Sequence, residues 1–392
     1  MIHPLIRRRM IERLGLTESQ AISLDRIYGD CTELPSSNAE LLGHLPVGTS
    51  MADLQTAYAE AEAELRLLTN HHSTRAKGVE AMTFQLNHRP VRTPIVKEVD
   101  PDFFDKNGIK LTELATPKAL AMTVPPSFSI KTGMSGAKDQ GSGGHCATFA
   151  ITGCLDYFYG KRDLSESCLT HEAEKRHGDC TEGLALAHAF DVATNPGMVD
   201  QEFWANDPRQ TCWASPPDVT GKPRYKFAAN RLVFYRTSAA VLNVMKEQLR
   251  NGINNPFVNS PAQYSVDVFD DPNLPQPQNF VRLLKAALVN AGTPVAVSIP
   301  VWWESDGHFE AGWEDGPDIH MPTPVLLQNF LDNKSPPNVS GWHAVAVCGY
   351  DDSRARFEFK NSWHTWWGDK GFGTLPYDYI TAYAREAMHG WV

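Results

Sequence analysis

The chain has 392 residues and a formal net charge of −10 at pH 7, from 36 lysines and arginines against 46 aspartates and glutamates. This length leaves room for a catalytic domain and about 120 further residues. The acidic balance disfavours nucleic acid as the main partner, because phosphate binding needs a surplus of positive charge. The sequence has neither a Walker loop nor a dinucleotide fingerprint, and the pair His71–His72 lacks the spacing of a zinc site.

The first 120 residues predict a mainly helical N-terminal extension. Apolar residues recur at helical spacing from about Ile2 to Leu14 and again from Ser50 to Leu68. From His88 to Pro126 the sequence is punctuated by proline and reads as extended chain. We therefore expect residues 1–120 to be a region of their own.

The N-terminus does not read as a secretory leader. Arg7–Arg9 supply basic residues, but the uninterrupted run of about 7 to 15 apolar residues of a signal peptide does not follow. No stretch of about 18 apolar residues occurs elsewhere, so we expect no membrane span. These features predict a chain that is cytoplasmic, or that is exported without a cleaved signal peptide.

A glycine-rich turn stands directly before Cys146, and the apolar stretch from Cys146 to Tyr159 predicts a helix that begins at this cysteine. A helix N-terminus presents unpaired backbone N–H groups and a partial positive charge, which favour thiolate over thiol. Cys146 is therefore a candidate nucleophile. A lone cysteine after glycines is more often structural, so the assignment depends on partners elsewhere in the chain.

Two later segments supply such partners. His343 opens an apolar, strand-like run, and Asn361 ends a second such run 18 residues later. A hairpin of the two strands would hold the imidazole and the amide adjacent. Cysteine, histidine and asparagine then serve as nucleophile, base and orienting group.

Taken in order, these motifs resemble those of the papain-like cysteine peptidases, the papain and cathepsin family, with this chain as a divergent, bacterial-type member. Gln140, six residues before Cys146, is similar to the family's oxyanion-hole glutamine. Trp363 is similar to the indole that shields the Asn–His hydrogen bond, and Val124–Phe128 resembles the mature N-terminus. The resemblance covers about residues 121–392.

The resemblance implies an α+β, two-lobed papain-like fold. A helical lobe would run from Cys146 to about Thr211, an antiparallel β lobe would follow, and the cleft would lie between them. Cys146, His343, Asn361 and Gln140 would be the catalytic residues of a peptide-bond hydrolase that acts on proteins or peptides. Neither a metal nor an organic cofactor is required.

The spacing of the motifs predicts insertions. His343 lies 197 residues after Cys146, against roughly 130 to 150 in the family pattern. We assign the excess to two segments of the catalytic domain, at about 214–278 and 310–340. The first carries a helical patch of its own, Ala239–Leu249.

The cysteines predict few disulfides. Seven cysteines are few for this length, and Cys154 and Cys348 lie inside apolar runs that predict buried thiols. The cysteine that would pair with the position of Cys180 in the family is missing here, so Cys180 is a thiol or has another partner such as Cys212. At most one or two bridges are expected among Cys168, Cys180 and Cys212.

Substrate contacts follow only from the resemblance. Gly183 would pair with an extended substrate through its backbone, and Ser298 and Ala344 would line the pocket for the side chain two residues before the scissile bond. Glu182 would add a preference for basic or polar residues, although a solvated loop glutamate is the default interpretation. Trp363 is grouped with the substrate-binding residues. Three further tryptophans could floor a binding surface, with packing under the inserted loop as the default: Trp302, Trp303 and Trp313.

Two questions stay open at this level. Residues 1–120 resemble in layout a papain-type propeptide, whose extended part lies through the cleft in the non-productive direction, but they also suit a partner-docking domain. The catalytic residues equally suit a transpeptidase or ligase that uses the same acyl-enzyme. A non-catalytic binding protein with this fold is the remaining alternative.

Overall fold

A computed structural model describes residues 96–100, 102–110, 124–141, 143–178, 180–181, 183–207, 215–251, 277–303, 309–314, 316–332 and 341–392. The chain divides into two compact units, Met1–Pro90 and Val91–Val392, and every described residue belongs to the second. The predicted helices of the N-terminal extension lie outside the described residues. The predicted boundary at residue 120 stays a prediction.

The described residues form an α+β structure, which confirms the predicted fold class. The helices are α1 Asp102–Lys106, α2 Cys146–Phe158, α3 Glu166–His177, α4 Leu186–Thr194, α5 Ser238–Asn251, α6 Phe280–Asn290, α7 Pro324–Leu331 and α8 Tyr377–Tyr383. The strands are β1 Ser127–Ser129, β2 Ala229–Tyr235, β3 Val295–Pro300, β4 Trp302–Trp303, β5 Phe309–Glu310, β6 Trp342–Asp351, β7 Arg356–Lys360, β8 Phe372–Pro376 and β9 Glu386–Trp391.

One antiparallel sheet organises the second half of the chain. Its strands run in the order β2-β9-β3-β6-β7-β8, and β1 pairs with the far end of β6. All residues of β3 are buried, as are those of β6 up to Tyr350, which suits their continuous apolar sequences. The sheet therefore has both faces covered where β3 and β6 lie side by side.

The helical lobe is built around α2. This helix is apolar nearly all round, and its residues from Cys146 to Asp156 are all buried, as expected of a core helix. It packs against α3 and α4 in its own lobe and against β6, β3 and β9 of the sheet. The first turn of α2 is thereby held against the strand that begins at Trp342.

Local capping explains the bounds of α3. The hydroxyl of Ser165 accepts a hydrogen bond from the N–H of Cys168 at 3.0 Å, which satisfies a donor of the first turn. Gly178 ends the helix in the left-handed conformation, with φ 67°. These two caps fix the helix that carries Glu166, a residue of the buried polar cluster described below.

The predicted insertions contain regular structure. The helix predicted over Ala239–Leu249 is present as α5, whereas β2, which also lies in segment 214–278, pairs with β9 and is part of the main sheet. Segment 310–340 carries α7, with Thr323 as its N-cap. In the part of the chain that the structure describes, no helix has the length and apolarity needed to cross a membrane.

Candidate active site

Cys146 lies where the sequence predicts it, at the first residue of α2. Its side chain has no exposed surface, and it is not disulfide-bonded. It stands at the N-terminus of α2, where the helix dipole and the unpaired backbone N–H groups of a first turn favour thiolate over thiol. Cys146 therefore stays the candidate nucleophile.

His343 and Asn361 are adjacent, because β6 and β7 form an antiparallel hairpin. His343 Nε2 lies 2.8 Å from Asn361 Oδ1, and the N–H of Ser362 donates to the same oxygen at 2.8 Å. An amide oxygen only accepts, so Nε2 carries the imidazole proton and Nδ1 is the basic nitrogen. The asparagine therefore sets the tautomer that a base needs.

Gln140 is held beside this pair by a short antiparallel ribbon. Its N–H donates to the Ser362 carbonyl at 2.9 Å, and the N–H of His364 donates to the Lys138 carbonyl at 2.9 Å. The Ser362 hydroxyl donates to Gln140 Oε1 at 2.6 Å, while Nε2 donates to the Gly143 carbonyl at 2.9 Å. The amide NH2 is thus fixed at the loop that leads into Cys146.

Ser362 is a candidate site residue that the sequence analysis missed. It contacts both Asn361 and Gln140, and so joins the orienting amide to the amide next to the nucleophile. Its position in the sequence, directly between Asn361 and Trp363, is the signal that could have marked it as a site residue. The contact to Gln140, 222 positions away, is not visible from local sequence.

Aromatic rings enclose the imidazole. The Trp363 ring lies 4.9 Å from that of His343 and is fully buried, consistent with the predicted shield. Trp313 meets His343 edge-to-face at 5.9 Å, and its Nε1 donates to the Tyr379 hydroxyl at 3.0 Å. Water is thereby kept from the His343–Asn361 hydrogen bond, which strengthens that bond.

The sequence analysis left open whether Trp302, Trp303 and Trp313 form a binding surface or pack in the interior. The two whose side chains are described are packing residues. Trp302 and Trp313 have no exposed surface, so the default interpretation holds for both, and neither floors an open surface. Trp313 has the added contact with His343, which the sequence analysis did not anticipate. The side chain of Trp303 lies outside the described residues.

A buried polar cluster lies behind the site. Lys360, the residue before Asn361, donates to Ser135 Oγ at 2.7 Å, and Ser135 donates to Asp156 at 2.8 Å. Lys138 forms an ion pair with Glu166 at 2.9 Å. Burial raises the pKa of Asp156 to about 7, in opposition to the two lysines. The cluster connects α2 and α3 to the ends of the Gln140 and Asn361 segments.

Gly371, directly before β8, supports Asn361. Its carbonyl accepts the Asn361 N–H at 2.9 Å, its φ is 88°, and a Cβ added there would lie 2.0 Å from the Cβ of Ala137. We expect Gly371→Ala to lower the free energy of unfolding by about 1 to 3 kcal/mol more than Gly221→Ala. Gly221 is the matched control, because its φ is 73° but nothing lies within 4 Å of an added Cβ.

Urea unfolding of the two glycine variants measures this difference. Both variants carry the cost of an alanine in the left-handed region, about 1 to 2 kcal/mol, so that term cancels. Equal destabilisation of the two variants would show that the contact with Ala137 is relieved at no cost.

An extended segment crosses between the two lobes. The N–H of Val96 donates to the Trp342 carbonyl at 3.1 Å, and the N–H of Lys97 donates to the Leu184 carbonyl at 3.3 Å. Trp342 precedes His343, and Leu184 follows Gly183, so the segment contacts the neighbour of the candidate base and the neighbour of the candidate substrate-binding glycine. We call residues 96–100 and 102–110 the strap.

Beyond the cleft the strap is anchored on both lobes. Phe103 of α1 contacts the rings of His177 and His188, at 5.5 and 4.9 Å between ring centroids. The N–H of Leu232 in β2 donates to the carbonyl of Lys110 at 3.1 Å. The strap therefore packs as part of the second unit, although the sequence analysis grouped these residues with the N-terminal extension.

The predicted pocket residues form one row across the sheet. Ala344 pairs with Ser298, Ser298 with Glu386, and Glu386 with Tyr235. Directly paired residues of antiparallel strands present their side chains on the same face. The row thus extends from the neighbour of His343 to β2, and adds two polar residues that the sequence analysis did not include.

The other predicted substrate contacts are only partly described. Gly183 has φ 90° and lies at the wall that the strap contacts through Leu184. Glu182 lies outside the described residues. The side chain of Lys97 donates to the backbone and hydroxyl oxygens of Thr181, at 3.0 and 2.6 Å, so the strap holds this loop through a basic side chain.

Glu386 makes folding depend on pH. Burial raises its pKa to about 7, against the opposing charge of Arg385. The folded chain then binds this proton more tightly than the unfolded chain, whose value is 4.5, so the stabilisation is complete below that pH and is lost as pH rises through about 7. We expect the free energy of unfolding to fall from about pH 5 to 8, and Glu386→Gln to remove part of that fall.

Chemical denaturation across this pH range tests the Glu386 prediction. The exposed Glu202→Gln is the matched control and should keep the slope of the unchanged chain. Asp156 has a pKa raised in the same direction, so the slope should shrink in Glu386→Gln without vanishing. An unchanged slope in that variant would contradict the prediction.

The described cysteines settle part of the disulfide prediction. Cys154 and Cys348 are buried thiols, as predicted, and Cys168 is a buried thiol rather than a bridge partner. Cys180 is disulfide-bonded. Among the described residues, no cluster of three or more histidine, cysteine or acidic side chains could hold a metal ion.

Comparison with known proteins finds similarity at the level of structure. No family model and no curated protein matches the chain. Xylellain, a cysteine protease from Xylella fastidiosa, is 18% identical with a TM-score of 0.47, over 78% of this chain and 97% of that one. The proform of the ragweed pollen cysteine protease Amb a 11 is 14% identical with a TM-score of 0.49, over 88% and 94%.

A further match is procathepsin B S9 from Trypanosoma congolense, 12% identical with a TM-score of 0.47, over 84% of this chain and 97% of that one. These three solved structures are papain-like cysteine proteases, and two of them are proforms.

Proposed function

We propose that the protein is a cysteine-dependent endopeptidase with Cys146 as the nucleophile and His343 as the base. The observation that carries the proposal is the 2.8 Å bond from His343 Nε2 to Asn361 Oδ1, on a strand packed against the helix that begins at Cys146. That bond directs the basic Nδ1 away from the asparagine. The imidazole can then accept the thiol proton.

The reaction begins with a thiolate–imidazolium pair. The proton moves from Cys146 Sγ to His343 Nδ1, and both the imidazolium charge and the α2 terminus stabilise the sulfur anion. The thiolate attacks the carbonyl carbon of the scissile peptide bond. A carbon–sulfur bond forms, and the carbonyl oxygen acquires the negative charge.

Two donors stabilise this oxyanion. The side-chain amide of Gln140 and the backbone N–H of Cys146 supply them, and each such donor is worth roughly 3 to 4 kcal/mol in the transition state. Ser362 holds Gln140 Oε1, so that the NH2 end faces the loop before Cys146. The donor needs little reorganisation when the charge develops.

Collapse of the tetrahedral species breaks the carbon–nitrogen bond. His343 gives its proton to the leaving amine and becomes neutral, and a thioester remains on Cys146. The neutral imidazole then removes a proton from water, which attacks the thioester. The acid product leaves, and Cys146 and His343 return to their starting forms.

The strap acts as an intramolecular inhibitor in this proposal. A substrate runs from the Gly183 wall towards Cys146 and His343, whereas the strap runs from the Trp342 contact at Val96 to the Leu184 contact at Lys97. This reversed direction presents no carbonyl in the productive orientation. Val96 is buried, so the strap excludes substrate while it is bound.

We expect Val96→Asp to weaken this inhibition, because an ionised carboxylate replaces a buried valine. In the full-length chain the initial rate of peptide hydrolysis should rise roughly tenfold or more. Asp100→Asn is the matched control on the exposed side of the strap and should leave the rate unchanged. Equal initial rates for Val96→Asp and the unchanged chain would argue against autoinhibition.

Product analysis tests the reaction type. The full-length chain, with a thiol reductant, is given a mixed peptide library together with an added amine acceptor, and the products are identified by mass. Free acids identify a hydrolase, while amide products with the acceptor would identify a transpeptidase. Absence of both, from Val96→Asp as well, would leave a binding protein.

The sequence predicted either a cytoplasmic chain or one exported without a cleaved signal peptide. The disulfide at Cys180 supports the second of these. Disulfides persist in oxidising compartments and are rare in the cytosol. We therefore favour a chain that works outside the cytoplasm.

A further inference from the structure

The strap carries a carboxylate that is bound at a defined place on the sheet. Glu98 Oε1 accepts a hydrogen bond from the Tyr235 hydroxyl at 3.1 Å. Both carboxylate oxygens also accept from the backbone N–H of Ser238, at 3.2 and 3.1 Å. Ser238 is the first residue of α5, a helix of 14 residues, so the carboxylate lies at its positive end.

The buried guanidinium of Arg385 binds the two strap residues that precede Glu98. Arg385 Nη2 donates to the carbonyls of Val96 and Lys97, at 3.0 and 2.7 Å. Its Nη1 donates to the Ser238 hydroxyl at 3.2 Å, and the guanidinium lies 4.8 Å from the ring centroid of Trp342. The arginine therefore binds the strap backbone and helps to position the end of α5.

The position relative to the catalytic residues follows from the register. The row Ala344, Ser298, Glu386 and Tyr235 begins beside His343 and ends at the hydroxyl that holds Glu98. By resemblance, its first two members line the pocket for the residue two before the scissile bond. The carboxylate site therefore lies at the acyl end of the cleft.

Every donor group of this site lies outside the strap. Tyr235 is in β2, Ser238 is in α5 and Arg385 directly precedes β9, and both Tyr235 and Arg385 are buried. Only the occupant, Glu98, belongs to the strap. Departure of the strap leaves without their strap partners a phenol, a helix N-terminus and a guanidinium whose other charged neighbour is Glu386 at 3.6 Å. Such a set of donors suits an anion.

We propose that the mature site uses these donors to bind a substrate carboxylate, so that the peptidase prefers an aspartate or glutamate two or three residues before the scissile bond. This inference rests on the proposed peptidase function. It differs from the preference for basic residues that Glu182 suggested in the sequence.

The charge balance is compatible with an acidic ligand. The negative group nearest in the row is Glu386, and the groups that face it are Arg385 beside it, Tyr235 across β2, Glu98 of the strap and the N–H of Leu186 at the start of α4. Burial raises the pKa of Glu386 to about 7, so below that pH it is mainly neutral. The preference should then be largest under mildly acidic conditions.

Matched peptidyl epoxides test the inference on the full-length chain. Each pair of probes carries glutamate or glutamine at the second or third residue before the reactive carbon, and the labelling rate of Cys146 is followed by mass at about pH 6. The probes are used at concentrations at which the labelling rate rises in proportion to the probe, so that labelling and not strap opening is rate-limiting and the ratio of second-order rate constants cancels the strap equilibrium. We expect the glutamate probe of one pair to react about tenfold faster.

Two variants locate the effect. In Tyr235→Phe the ratio should fall to about two or three. In Tyr350→Phe, whose hydroxyl donates to the Pro125 carbonyl at 2.8 Å, the ratio should stay as in the unchanged chain. Phenylalanine keeps the ring in both variants, so packing is preserved.

The outcomes separate the inference from the function. Equal rates for both pairs of probes in the unchanged chain would overturn the inference, while labelling itself would uphold a reactive Cys146. A ratio that survives Tyr235→Phe undiminished would overturn the assignment to this pocket. Absence of any labelling, in Val96→Asp as well as in the unchanged chain, would overturn the proposed function, and the inference with it.

Discussion

Replacing Cys146 with alanine is expected to lower the kcat for peptide hydrolysis by at least about 10⁴-fold. The thiolate forms the bond to the substrate carbonyl, and no neighbouring group can take its place once the sulfur is removed. The measurement is the steady-state rate with a fluorogenic peptide, using Val96→Asp as the background so that the strap does not mask the effect.

A second buried thiol provides the matched control for this loss. Cys168 has no exposed surface and lies in α3, two positions after the buried Glu166. Cys168→Ala in the same background should retain the rate within a few fold, apart from any loss of stability. Similar losses in both variants would mean that packing, rather than nucleophilic chemistry, explains the effect of Cys146→Ala.

Replacing Gln140 with alanine is expected to lower kcat by about 10² to 10³-fold with a smaller change in KM. The amide donates to the oxyanion only when negative charge develops, so its loss raises the transition state more than the bound ground state. Separate measurement of kcat and KM on one peptide checks this division. The exposed Gln328→Ala, whose amide bonds only Asp332 one turn away among the described contacts, should leave both constants unchanged.

A kcat that does not respond to Gln140→Ala would remove the glutamine from the oxyanion hole. An increase in KM alone would assign it to substrate binding. Ser362→Ala should give a smaller loss in kcat than Gln140→Ala, because it removes only the hydrogen bond that holds Oε1.

Local sequence predicted the elements that carry the candidate catalytic residues. The turn before Cys146 and the apolar run after it define α2, and the two apolar runs around His343 and Asn361 define β6 and β7. Each of these signals lies within a few residues of the side chain concerned. Helix and strand periodicity act at that range, so they are readable from sequence.

The contacts that complete the site link distant parts of the chain. Arg385 meets Val96 across 289 positions, and Ser362 meets Gln140 across 222. Trp313 reaches His343 from a segment predicted to be an inserted loop. Such pairings depend on how strands and helices pack, and neither propensity nor periodicity contains that information.

The partners of extended segments are set by long-range packing in the same way. The strap reads as the end of an N-terminal extension, yet its hydrogen bonds go to Trp342 and Leu184 in the second unit. Strand β2 reads as part of an insertion, yet it pairs with β9. An extended segment shows its role only through the strand or wall that it pairs with.

The identity of the residue that reacts with an electrophile tests the central claim most directly. The reduced full-length chain is treated with a peptidyl epoxide, digested and analysed for the site of modification. We predict one label per chain, on Cys146, with faster labelling in Val96→Asp and no label in Cys146→Ala. No modification of Cys146 in Val96→Asp, or equal modification of Cys154, Cys168 and Cys348, would contradict a catalytic thiol at the start of α2.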